Sequence, residues 1–149
     1  FVLPDGMVGQ KLVDDMGPGL NGSFGQVPGI DNEGSKKFGE MLTSAGIDPA
    51  GASFAPESYD AAALIMMAMA AAGSVESKDW TTKVMDLANA PGEPIQPGEL
   101  GKALDLIAAG TDIDYVGATN VELIGPGESA GNYREIEVQD GKINTVGYR

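Results

Sequence analysis

The chain has 149 residues, 42% of them apolar, enough for one ordinary domain with a packed core and too many for a disordered polymer. With 22 acidic against 9 basic residues the net charge is −13, which excludes nucleic acid and speaks against an anionic membrane surface, since both need clustered Lys and Arg. Cys and His are both absent, so a disulfide, a zinc thiolate, a cysteine nucleophile or a Ser-His-Asp triad cannot be built from this chain.

Residues 1–3 predict a short apolar strand ended by Pro4-Asp5-Gly6. A chain that opens inside a strand is expected to be a fragment of a larger protein. An acid at a strand end stands where open α/β sheets bind ligands, and it could hold an ammonium group. Asp before Gly is equally an ordinary turn pair. Residues 7–15 predict a short helix on Met7, Val8, Leu12 and Val13. Residues 17–29 form a Gly/Pro-rich connection with a strand at 23–27, and Pro28-Gly29 marks a turn or a crossing between lobes.

Residues 32–45 predict a helix on Phe38, Met41, Leu42 and Ala45, with Gly46 at its end. A loop follows over 47–55, where Phe54 fits either a core plug or a pocket wall. Residues 59–72 predict a helix apolar on almost every side. Shorter than the ~20 residues that span a bilayer, it is assigned to the centre of a core. Further helices are predicted over 80–90 and 97–109, the second with Pro97 at its first position. Residues 121–124 predict a strand, and 133–138 with 142–146 a hairpin around Gln139-Asp140-Gly141. Strands at both ends and helices between them make an α/β chain.

Several motifs carry less than they suggest. Gly17-Pro18-Gly19-Leu20-Asn21-Gly22 spells G-x-G-x-x-G, but it follows a helix rather than a strand, so it is read as a loop. Asp14-Asp15, Asp112/Asp114 and Glu135/Glu137 are read as solvated charges, because neither a calcium loop nor a glycosidase pair is supported. Ser58 is read as helping to start the long helix, and Met66, Met67 and Met69 as core filling. No nucleophile constellation is present, and the chain is read as a non-enzyme without a cofactor or metal.

Taken in order, Ser58-Tyr59-Asp60-Ala61-Ala62, Gly101-Lys102-Ala103-Leu104, Asp112 through Ala118, Tyr133-Arg134-Glu135-Ile136 and Val138 through Ile143 resemble one family. It is the branched-chain (leucine/isoleucine/valine-type) amino-acid-binding proteins of ABC importers, and the match is to their C-terminal part. The resemblance implies the type I periplasmic binding fold, two α/β lobes joined by three crossings. Residues 1–29 would then end lobe two, 30–117 supply the C-terminal helices of lobe one, and 118–149 return to lobe two with a terminal β-hairpin.

It also implies a site. Leu3-Pro4-Asp5-Gly6 matches the family's strand-end motif, whose acid binds the ligand's α-ammonium group; Asp5 is one methylene shorter than the usual Glu. Phe54 falls about where the family packs an aromatic on the ligand side chain, and Met7 is a candidate for the pocket rim. The groups that hold the ligand carboxylate belong to the family's N-terminal lobe and so to none of these residues. The implied partners are an amino acid or related small molecule and a membrane ABC permease, and the implied location is periplasmic or otherwise extracytoplasmic. The alternative is a ligand-sensing domain of the same fold. Uncovered sheet edges and apolar faces would further make the fragment self-associate.

Overall fold

A computed structural model describes residues 1–52 and 54–149; Ser53, inside the predicted 47–55 loop, lies outside the described residues. In chain order the elements are β1 (Val2–Leu3), α1 (Gln10–Met16), β2 (Phe24–Pro28), α2 (Glu33–Ser44), α3 (Ala55–Ala72), α4 (Ser77–Trp80), α5 (Val84–Ala88), β3 (Glu93–Ile95), α6 (Leu100–Ala108), β4 (Ile113–Tyr115), β5 (Leu123–Gly125), β6 (Glu128–Ser129), β7 (Tyr133–Gln139) and β8 (Lys142–Tyr148). They fall into two compact units, Phe1–Asp31 with Gly131–Arg149, and Asn32–Ala130. The family resemblance implies crossings near 29/30 and 117/118. Residues 118–130 stay with the second unit because Ala118 and Val121 are buried there.

The first unit is a four-stranded sheet in the order β1-β2-β7-β8, parallel between β1 and β2 and antiparallel elsewhere. Alternation along the strands sends Leu3, Val27, Ile136 and Val138 to one face, where they pack with Val13 and Leu20. Gln139 pairs with Lys142 across the two-residue Asp140-Gly141 turn, and both turn residues have positive φ (51° and 72°). That is the backbone a tight hairpin needs, and Asp-Gly reaches it at low cost. The opposite face leaves Val2, Phe24 and Val146 exposed. The helix predicted from Met7 starts only at Gln10, because Asp5–Met7 form a 3-10 turn and Gly9 is extended.

The second unit is helical around the parallel pair β3 and β4, joined by α6. These three-residue strands are too short to show a period in the sequence, and neither was predicted. α2 starts on a capping box: Ser35 N–H donates to Asn32 Oδ1 at 2.7 Å and Asn32 N–H donates to Ser35 Oγ. α3 buries Ala63, Leu64, Met67 and Ala68 against Leu87, Ala88, Ile95, Ala103 and Tyr115. Its other face is exposed at Ala61, Ala62, Ile65, Met66 and Ala70, so α3 is a helix with one covered face, not the enclosed core helix its composition predicted.

The helix predicted over 80–90 is broken into α4, a 3-10 turn and α5. Thr81 and Thr82 hydroxyls donate back to the Ser77 and Asp79 carbonyls, which competes with regular helix geometry. α6 starts three residues after Pro97, because Gly98 has φ 82° and the Glu99 carboxylate accepts the Gln96 N–H at 2.8 Å.

Candidate ligand-binding site

Asp5 stands two residues past the C-terminal end of β1, in the 3-10 turn that Pro4 opens. Gly6 N–H donates to its Oδ1 at 2.7 Å, a local bond that fixes the side chain. The residue is exposed, and among the described residues no hydrogen bond to its Oδ2 is seen. Met7 shares the same turn, donating its N–H to the Pro4 carbonyl, and its side chain is 52% exposed. Asp5 and Met7 therefore belong to one 3-10 turn. A concavity of about 540 Å³ lies next to them in this unit, with Val2, Pro4, Phe24, Gln26, Glu135 and Val146 in its wall. Neither Asp5 nor Met7 lines it.

Phe54 belongs to the second unit and is the N-cap of α3. Its backbone is left-handed, φ 59° and ψ 11°, a conformation that costs a bulky residue on the order of 1–2 kcal/mol. Its carbonyl accepts the Ser58 N–H at 3.0 Å, which closes the first helical turn. The residue is 43% exposed, so Phe54 is not a core plug. An aromatic kept half in water on a strained backbone has the character of a contact surface.

The second unit also holds a polar cluster around Asp60, a residue of the Ser58-Tyr59-Asp60-Ala61-Ala62 motif. Asp60, 3% exposed, accepts four hydrogen bonds: from the Tyr115 hydroxyl and Ala118 N–H at Oδ1, and from Thr119 N–H and hydroxyl at Oδ2, all within 2.8–2.9 Å. A Cβ on Gly117 would stand 2.5 Å from Asp60 Oδ1, so only glycine lets the loop lie on the carboxylate. Burial first, and the Asp60 carboxylate second, push the Tyr115 hydroxyl well above the ordinary phenol range. Tyr115 is thus a permanent donor to Asp60, and the cluster is a clamp between α3 and the loop after β4. The signal in the sequence was one acid beside the apolar run of 61–72.

Electrostatics elsewhere are local. The Gln96 backbone N–H, and then Lys37 and Lys102, hold the Glu99 carboxyl below its ordinary value, while burial raises that of Asp114. Among the described residues no group of three acids could hold a metal ion, and no single helix is long and apolar enough to cross a membrane.

Comparison with known proteins fits this architecture. No family model matches the chain. It is 30% identical over 131 residues to the chemotactic signal transduction system substrate-binding protein BasB of Halobacterium salinarum, an alignment covering 86% of this chain and 31% of that one. Among solved structures it is similar to the leucine-binding protein LivK of Thermotoga maritima, with a TM-score of 0.68 at 17% identity over 99% of this chain and 36% of LivK. A solute-binding protein of an R. palustris ABC transporter, solved with benzoate, gives a TM-score of 0.49 at 19% identity over 92% of this chain and 32% of its own. The chain therefore spans about a third of the length of the relatives it matches. The likeness to LivK shows the fold: α/β, a part of the two-lobe type I periplasmic binding fold. BasB, LivK and the R. palustris protein are each named as binding proteins.

Proposed function

We propose that the chain is part of an extracytoplasmic solute-binding protein that holds an amino acid, with the branched-chain type first, and hands it to an ABC permease. In this reading the first unit belongs to lobe two and the second to lobe one, and hinge closure buries the ligand. The observation that carries it is Asp5: an exposed carboxylate just past the C-terminal end of a parallel strand, held through one oxygen by Gly6 N–H. Such a group pairs with an ammonium ion, and the pairing strengthens as water is excluded. Phe54 supplies apolar contact to the ligand side chain, and Met7 the rim.

Calorimetry on the full-length protein with leucine, isoleucine and valine tests the reading. Micromolar or tighter binding is expected, with Asp5→Ala weakening it about 100-fold, the size of a lost charged hydrogen bond. No heat with any amino acid, or unchanged affinity in Asp5→Ala, rejects the assignment.

A second reading is a ligand sensor on the same fold, favoured by the chemotactic role that the name of the Halobacterium relative carries. It differs in the partner and not in the pocket. Loaded protein that binds a receptor ectodomain but leaves a permease's ATPase unstimulated favours the sensor, and the opposite result favours transport.

A further inference from the structure

We propose that the folded state of this chain is conditional on ionic strength, and that it is built for a concentrated salt solution. Two independent observations meet in the second unit. The first is charge. Residues 32–130 hold fifteen carboxylates against five lysines, a difference of ten, so most of the chain's net charge of −13 sits here. Even if every lysine paired with one acid, ten carboxylates would have no cation. Of the fifteen, Asp60 is the buried one; the others reach the surface, including Glu40, Asp105, Asp112 and Glu122, which are exposed on or beside α2, α6, β4 and β5. The two ion pairs Lys37–Glu99 and Lys102–Glu93 already occupy two of the five lysines.

The second observation is the core that must hold against this repulsion. Four of its eleven buried members are alanines: Ala63, Ala68, Ala88 and Ala103. Each buried methylene adds roughly 0.8 kcal/mol, so an alanine-rich core contributes less than one of leucine and isoleucine. Folding gathers the surface charges within reach of one another, whereas the unfolded chain spreads them. Like charges a few ångströms apart repel by about 1 kcal/mol even in bulk water, and many pairs sum against a margin of only about 5–15 kcal/mol. Salt removes the repulsion, since the screening length shrinks from about 10 Å at 0.1 M to about 3 Å at 1 M. Repulsion between like charges is the term that net charge adds against the compact state.

Thermal unfolding of the 149-residue chain followed by circular dichroism tests this. The midpoint is expected to rise by roughly 10 °C between about 0.05 M and 1 M KCl, and by little more above that, as screening saturates. The variant carrying Glu40→Gln, Asp105→Asn, Asp112→Asn and Glu122→Gln is expected to melt higher at low salt and to show less than half that rise. A transition that becomes cooperative only in high salt is an equivalent positive result. A midpoint that is flat or falls with KCl overturns the proposal. So does a full-sized rise in the charge-reduced variant, which would trace the effect to apolar burial, and so does the absence of a cooperative transition at every salt concentration. If the quadruple variant does not fold, the four single variants carry the same test, each raising the low-salt midpoint.

Discussion

Phe54 and Asp60 are the residues whose chemistry is most at odds with their surroundings, and each gives a sharp expectation. The left-handed backbone of Phe54 would be relieved by glycine. Phe54→Gly is therefore expected to be neutral or stabilising by up to about 1 kcal/mol in thermal melts, while ligand affinity in the full-length protein falls about tenfold or more. A stable protein with unchanged affinity would place Phe54 outside the site. Asp60→Asn is expected to destabilise by about 2–4 kcal/mol in urea titration, because an amide NH₂ would face the Thr119 N–H that now donates to a carboxylate oxygen. A cost below 1 kcal/mol would mean that the clamp relaxes without penalty. Neither residue could be valued from spacing alone: left-handed φ and fourfold acceptance are properties of the folded backbone.

Among the elements, α6 shows how a helix start carries a pH signal. Glu99 accepts the Gln96 N–H, and its carboxyl lies below the ordinary value of 4.5. A depressed carboxyl stabilises the fold above its unfolded-state value, and that contribution is lost as pH falls through the lower folded value. Glu99→Gln should thus lower the thermal midpoint at neutral pH by about 2–4 °C, the size of one cap of about 1 kcal/mol. The gap to the parent chain should close as the pH of both melts is taken down through that lower folded value. A gap that persists unchanged below that value would assign the effect to packing. Strong periodic signals such as α2, the Asp140-Gly141 turn and the long α3 were legible in the sequence. The pair β3 and β4 was not, because three residues make no alternation; nor was the break at Thr81–Thr82, because side-chain hydroxyls bonded to carbonyls leave no trace in hydrophobic spacing.

At the scale of the whole molecule the exposed apolar surface is the feature to explain. α3 presents Ile65 and Met66 to solvent, and the sheet of the first unit presents Val2, Phe24 and Val146. Apolar faces of this kind mark surfaces that other polypeptide covers. The 149-residue chain is expected to self-associate, with a mass by light scattering above the monomer's 15.3 kDa. The double variant Ile65→Gln and Met66→Gln should shift it toward the monomer. A parent chain that is monomeric at about 100 μM would reject α3 as a contact face.

The last consequence concerns how the chain leaves the first unit and comes back. Pro28 at the end of β2 pairs with Tyr133 at the start of β7, and Gly29 N–H donates to the Asn132 carbonyl at 3.0 Å. The two strands are thus the arms of one antiparallel hairpin, and everything from Asn32 to Ala130 is its loop. In that light the second unit is an inserted domain, and the first is a small sheet in which β2 and β7 stay paired up to the point of insertion. Replacing residues 32–130 by a short turn asks nothing new of β2 or β7, so the seam between Gly29 and Asn132 is where this protein could be cut apart or rebuilt with another insert.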